Sequence, residues 1–151
     1  NTPAIVGRAV TGLAKGTRAS AEQLVQASSL FETVGKIVVL DEEQIDALGT
    51  VSGSGPAYVF YLIEELTKAA QGMGFDAETA HTLVSETFLG ASELLAASGK
   101  TPQELRKQVT SPNGTTMRAI AVLEEANLAA LFENATNAAL ARSKEIAAGL
   151  G

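Results

Sequence analysis

The stretch GSGPAYVFYLIEELTKAAQG, Gly53 to Gly72, decides how the rest of the chain is read. Pro56 stands where the first turn of a helix accepts it, because the N–H that proline lacks would have no intrahelical acceptor there. Ala57 to Ile63 is the longest unbroken apolar run in the sequence. A helix from about Pro56 to Gln71 is therefore apolar on all sides through its first two turns, which predicts a central, buried helix. Gly72 and Gly74 end it.

Downstream the same helical period continues. Asp76 is placed to cap a helix in which Ala80, Leu83, Val84, Thr87, Phe88, Ala91 and Leu95 recur at i, i+3, i+4 spacing, and Gly99 stops it. A short helix is predicted after Pro102, then helices over Thr115 to Glu125 and Leu128 to Ala148. Leu128, Leu131, Phe132, Ala135, Ala139 and Ile146 line one face of the last. Upstream, Asp41 with Gln44 makes a capping-box-like start. The first forty residues read differently. Ala4 to Leu13 suits a strand, Ala19 to Val34 a helix opened by Ser20, and Lys36 to Leu40 a second strand, together one βαβ crossover. The expected fold class is mainly α, a helical domain at 41–151 behind a strand–helix–strand piece at 1–40.

Composition narrows the function. The 151 residues suffice for one ordinary domain, and a hydrophobic share of 46% excludes disorder. A formal charge of −6 with no basic patch argues against nucleic acid as a partner. No cysteine is present, which removes disulfides, thiolate catalysis and cysteine-ligated zinc. The apolar run ending at Ile63 is far short of the roughly 20 residues that cross a bilayer, so no membrane span is expected. Nothing suggests secretion, and a cytoplasmic location is expected. Asn1 follows no Met and no signal-like segment, which reads as the cut end of something longer.

Few residues are candidates for chemistry. His81 is the lone imidazole and has no carboxylate or hydroxyl pattern around it, so it reads as an ordinary surface histidine. Asp41-Glu42-Glu43 reads as acids at a helix N-terminus rather than a metal site, and no metal is expected. Glu64-Glu65 and Glu124-Glu125 read as solvated faces. Gly53-Ser54-Gly55-Pro56 lacks the third glycine of a dinucleotide turn, since Tyr58 holds that place, and it follows a helix rather than a strand. The strongest candidate is VTSPNGTTMRAIAVLE, Val109 to Glu124. Ser111-Pro112-Asn113-Gly114 fits a β-turn and runs into a helix whose first N–H groups, at Gly114, Thr115 and Thr116, have no intrahelical acceptors. Two readings stand side by side. Either Ser111 or Thr115 caps the helix, or these donors and hydroxyls converge on a small carboxylate.

The runs NTPAIVG (Asn1–Gly7), VSGSGPAYVF (Val51–Phe60) and VTSPNGTTMRAIAVLE, in that order, resemble pyrroline-5-carboxylate reductase over essentially the whole chain. That resemblance implies a C-terminal portion. Residues 1–40 would end a Rossmann domain whose glycine-rich turn lies upstream, and 41–151 would be a helical dimerisation domain similar to the C-terminal domain of 6-phosphogluconate dehydrogenase. It implies hydride transfer from NADPH or NADH to 1-pyrroline-5-carboxylate, giving L-proline, in a homodimer and in larger rings of dimers. It implies substrate contacts at Glu42, Ser111, Gly114, Thr115 and Thr116, with the Thr116 hydroxyl catalytic at the ring nitrogen. Cofactor contacts are implied at Gln108, Ser54 and Pro56, with Asn1, Thr2 and Pro3 at the edge of the pocket. Gln108 stands where the family often has Asn, and Asn113 where Gly is common. The isolated chain is expected to be inactive. Two rivals are a non-catalytic helical dimerisation module and a reductase of the related hydroxyacid dehydrogenase group.

Overall fold

The computed structural model describes residues 1–150. It opens with a 3-10 turn at Thr2–Val6, then strand β1 (Ala9–Leu13), helix α1 (Ala21–Glu32) and strand β2 (Gly35–Val39). Next come a 3-10 turn at Glu42–Gln44, helix α2 (Ile45–Leu48) and a π-helical turn at Gly49–Gly53. The remainder is helical: α3 (Gly55–Gly72), α4 (Ala77–Ser98), α5 (Pro102–Gln108), α6 (Thr115–Glu125) and α7 (Leu128–Ala147). The fold is mainly α with one small parallel sheet, the class expected from sequence.

The chain divides into two compact units. The first holds Asn1–Val59 and the chain from Phe132 onward. Its β1 and β2 pair in parallel from Ala9↔Gly35 to Leu13↔Val39, joined through α1. Gly35 is required by that pairing, since a Cβ there would overlap the backbone of Ala9. Ser20 opens α1 with a reciprocal box: the Gln23 N–H donates to Ser20 Oγ at 3.2 Å and the Ser20 N–H to Gln23 Oε1 at 2.9 Å. The expected strand from Ala4 is shorter than the sequence suggested. Ala4–Val6 lie in the 3-10 turn that Pro3 helps to start and that Gly7, at φ 69°, closes. Proline's fixed φ and a left-handed glycine set that local turn, and the β-branched Ile5 and Val6 follow it.

The second unit, Phe60–Leu131, holds most of α3, then α4, α5, α6 and the start of α7. Its buried cluster is small: Ala70, Ala80 and Val84, with Ile63 and Phe88 packed on it. Asp76 caps α4 by accepting from the Thr79 N–H at 2.9 Å, and Gly99 ends it at φ 66°. Thr101 and Glu104 form a capping box on α5. The expected burial of α3 is not met within one chain, where Phe60 is 65% and Tyr61 62% exposed. Among the described residues, no element covers that side of the helix.

Candidate functional site

The site is made by what happens between α5 and α6. Helix α5 ends at Gln108, an exposed residue, and the Thr110 hydroxyl donates back to the Arg106 carbonyl at 2.6 Å. The chain then turns. The Gly114 N–H donates to the Ser111 carbonyl at 3.0 Å, and Asn113 sits at φ 60°. Proline at the second position and a positive φ at the third are the marks of a type II turn, where asparagine is the residue after glycine that tolerates the left-handed region.

Gly114 is the N-cap of α6, and no side chain caps this helix. Neither Ser111 nor Thr115 plays the capping role that was the simpler reading of the sequence. The Gly114 N–H is committed to the turn, so the donors left without an intrahelical acceptor are those of Thr115, Thr116 and Met117. Met117 is an addition that sequence reasoning missed, although counting three N–H groups from the N-cap identifies it. The Ser111 hydroxyl lies against Gly114, the N-cap. A methyl group built on Gly114 would lie 2.5 Å from Ser111 Oγ and 3.1 Å from its carbonyl oxygen. Ser111 and Thr115 are exposed and Thr116 is half-buried. The result is a rigid turn, one hydroxyl and a row of N–H groups at the positive end of a helix, an arrangement suited to a carboxylate.

Charge supports that chemistry. Lys100, Arg106, Lys107 and Arg118 flank the turn with Glu104 as the one acid among residues 100–118, in a chain of formal charge −6. Arg106 Nη1 meets Glu124 Oε1 at 3.2 Å, tying α5 to α6 on either side of the turn. Both partners are more than half exposed, so the pair fixes geometry more than it adds stability, at about 0–1 kcal/mol.

The other candidate residues, Gln108 apart, belong to the first unit. The Asn1 side chain is fully engaged: its Nδ2 donates to the Ser52 carbonyl at 2.8 Å and its Oδ1 accepts the Val10 N–H at 3.1 Å. Thr2 and Pro3 begin the 3-10 turn. Ser54 follows the π-turn and Pro56 lies in the first turn of α3, both half-buried. Glu42 is exposed at the head of its 3-10 turn, in a shallow groove with Lys15, Leu24 and Gln44. Gln108 shares an apolar groove in the second unit with Leu94, Leu95, Leu105 and Val109. The structure thus gathers Gln108 to Thr116 at one turn, and Asn1, Ser52 and Ser54 around another.

Sequence reasoning also missed the π-turn and its supports. Thr50 is buried, the Tyr58 hydroxyl donates to its carbonyl at 3.0 Å, and the Ser143 hydroxyl donates to Asp46 Oδ1 at 2.8 Å. The available signal was Gly49 and Gly53 on either side of Thr-Val-Ser, an interruption at the end of a helical segment.

A helical domain behind a single parallel βαβ crossover is the class that fold and site define. Known proteins say which one. The family model described as pyrroline-5-carboxylate reductase dimerisation matches residues 42–146. The pyrroline-5-carboxylate reductase of Pseudomonas aeruginosa is 46% identical over all of this chain and 56% of its own length. That of Arabidopsis thaliana is 42% identical over 97% of this chain and 53% of its own. Among solved structures, the pyrroline-5-carboxylate reductase of Coxiella burnetii superposes with a TM-score of 0.92 at 41% identity, covering 96% of this chain and 54% of that one. The Plasmodium falciparum enzyme, solved with NADP bound, gives 0.87 at 30% identity over 95% of this chain and 58% of that one. The chain belongs to the pyrroline-5-carboxylate reductase family. It spans about half the length of the curated relatives it matches.

Proposed function

We propose that this chain is the substrate-binding and dimerising part of an NAD(P)H-dependent reductase that converts 1-pyrroline-5-carboxylate to L-proline in the cytoplasm. Residues 1–40 end its nucleotide-binding domain and 41–151 form its helical domain. The observation that carries the reading is the uncapped N-terminus of α6 behind the Ser111–Gly114 turn, in a chain of this family.

The N–H groups of Thr115 and Thr116 and the Ser111 hydroxyl take the substrate carboxylate. Each is a neutral donor meeting a charged acceptor, and such bonds are worth about 1.5–3 kcal/mol. Gly114 contributes by leaving room for Ser111. The Thr116 hydroxyl then works at the ring nitrogen, where a proton is held as the C=N bond is reduced. Glu42 favours the protonated imine, the form that accepts hydride more readily.

The nicotinamide cofactor, when bound, supplies the hydride. By family likeness the Ser54 hydroxyl, the ring of Pro56 and the backbone at Asn1–Pro3 of the first unit would meet its nicotinamide end, as would the Gln108 amide of the second. The Asn1 amide is engaged within the chain, so its own part is to hold that edge in place. A pyrophosphate needs a glycine-rich turn between a strand and a helix, and among the described residues the segment joining β1 to α1 holds one glycine, Gly16. The main nucleotide site therefore belongs to the preceding part of the longer protein, and the isolated chain is inactive.

Surface area supports a homodimer. The chain exposes 11167 Å². Two separate globules of half its mass would expose only about 8,700 Å² together. The excess of roughly 2,500 Å² per chain is surface for the rest of the nucleotide-binding domain and a second copy to cover, and obligate dimers bury area on that scale. Phe60, Tyr61, Leu62 and Leu66 on α3 are among the exposed apolar residues. Rings of such dimers extend the same reading.

Assaying the full-length parent with pyrroline-5-carboxylate against a panel of 2-hydroxy acids tests the activity. Turnover of the pyrroline with cofactor oxidation is expected. Turnover of a hydroxy acid alone, or of neither, overturns the reading.

A further inference from the structure

The backbone between α2 and α3 leaves the α-helical ladder for one turn. The Ser54 N–H donates to the Gly49 carbonyl, five residues back, at 2.9 Å. In an unbroken α-helix it would donate to Thr50, four residues back. The π-turn therefore takes from the Thr50 carbonyl its helical donor, in a residue only 5% exposed. Buried carbonyls without partners are rare because nothing replaces the lost water. Here the replacement is a side chain, since the Tyr58 hydroxyl donates to the Thr50 carbonyl at 3.0 Å.

Tyr58 is aimed at that task. Its ring packs edge-on to Phe132, centroids 6.4 Å apart and planes at 63°. The turn is also gripped at Ser52 by the Asn1 amide, and the Thr50 hydroxyl donates to the Ala47 carbonyl at 2.8 Å. A π-turn is a rare conformation that persists only where its surroundings fix it. Closing it to α register would turn the preceding helix by about 100° relative to α3. Ser54 and Pro56 sit at that junction.

We propose that the Tyr58 hydroxyl is the latch that keeps the Gly49–Gly53 turn in its π register, making Tyr58 a positioning residue for the Ser54 and Pro56 edge of the nicotinamide pocket. The latch stands on hydrogen-bond geometry alone, and its catalytic consequence rests on the proposed function. Tyr58 would touch neither substrate nor cofactor.

Tyr58→Phe keeps the ring and its packing and removes only the hydroxyl. Thr33→Val, which removes the hydroxyl that donates to the Leu30 carbonyl at the end of α1, is the control. Hydrogen exchange on the full-length protein is the first readout. The Ser54 amide should exchange about fivefold faster in Tyr58→Phe, the scale of one net hydrogen bond, with amides of mid-α3 unchanged. Unchanged Ser54 exchange, or the same acceleration in Thr33→Val, overturns the latch. Should Tyr58→Phe not fold, the unsubstituted protein still decides: by NMR the Tyr58 hydroxyl proton should exchange more slowly than that of free tyrosine, and equal rates overturn the proposal. Steady-state kinetics is the second readout. The cofactor KM should rise about fivefold while the KM for pyrroline-5-carboxylate stays within twofold. A hydroxyl that is only structural would lower the melting temperature and leave that ratio unchanged, which overturns the positioning role. If the parent does not reduce pyrroline-5-carboxylate, the proposed function falls and the exchange readout alone judges the latch.

Discussion

Gly114→Ala is the perturbation that isolates the socket. Gly114 lies at φ −76° and ψ 167°, extended backbone open to any residue, so the substitution brings no dihedral strain. Its whole effect comes from the new methyl group, 2.5 Å from Ser111 Oγ and 3.1 Å from the Ser111 carbonyl. The hydroxyl must rotate away, and the carbonyl must yield by a few tenths of an ångström. Alanine is also a poorer N-cap than glycine, so folding stability should fall by about 1–1.5 kcal/mol, a melting shift of a few degrees. The larger effect is on substrate. Expelling the Ser111 hydroxyl from a carboxylate forfeits about 1.5–3 kcal/mol, or about 10- to 150-fold in KM, with kcat little changed. Ser111→Ala should raise KM by a similar factor without the stability loss. The double variant is the decisive one, because both changes remove the same hydroxyl. Its KM should match that of Gly114→Ala rather than the product of the two single effects. Steady-state kinetics on the full-length parent, with thermal melts alongside, measures all three. Multiplicative losses in KM would mean that Gly114 and Ser111 act independently, and the account of the turn would be wrong.

Three further outcomes are expected. Thr116→Ala should fold normally, since alanine favours the helix, and should lower kcat by about 2.7–4 kcal/mol of transition-state stabilisation with a smaller change in KM; wild-type kcat would reduce its hydroxyl to a helix-terminus ornament. Two helix caps should make the fold acid-sensitive. The Thr79 N–H and then its hydroxyl hold Asp76 below its ordinary 3.8, and the Thr101 N–H and then its hydroxyl hold Glu104 below its ordinary 4.5. Depressed carboxyls stabilise the fold above those ordinary values and stop doing so as pH falls through the lowered ones. Melting curves below about pH 4.5 should show that decline, and Asp76→Asn, a good cap that does not titrate, should flatten its share of it. Light scattering should find a dimer at micromolar concentration, and Leu62→Arg should break it; a stable, well-folded monomer of the unsubstituted chain would count against the dimer.

What the sequence disclosed was local chemistry. Ser20 and Asp76 before their helices, Gly99 after its own, and Pro112-Asn113-Gly114 each act within a few residues, so spacing alone locates them. The β-turn was legible on those grounds, and the structure adds the positive φ of Asn113. Where two local signals compete, the sequence misleads. Ile5 and Val6 favour a strand, but Pro3 and Gly7 win the segment for a 3-10 turn. The π-turn was signalled only by Gly49 and Gly53, because supports on which it depends come from afar: Asn1 lies 51 positions from Ser52, and Ser143 lies 97 from Asp46. The apolar girth of α3 was legible, but the burial inferred from it was not found, because apolarity says that a surface is to be covered and not by which chain. The roles given to Glu42 and Gln108 came from family likeness alone, since both are exposed side chains in ordinary local surroundings.

The stiffness of the Ser111–Gly114 turn sets a limit on what the proposed reductase can tell apart. Proline at the second position, a left-handed asparagine at the third and a closed 3.0 Å hydrogen bond leave the turn little freedom to adapt to its guest. In the proposed reaction the carboxylate is identical in substrate, transition state and product. A fixed grip on an unchanging group holds all three equally and so adds nothing to the rate of the chemical step. L-proline should therefore compete for the turn as a product inhibitor. Every substitution that loosens the turn should weaken that inhibition along with substrate binding, and hasten release. Discrimination between imine and amine is left to the ring nitrogen and whatever faces it, which puts the selective burden on Thr116.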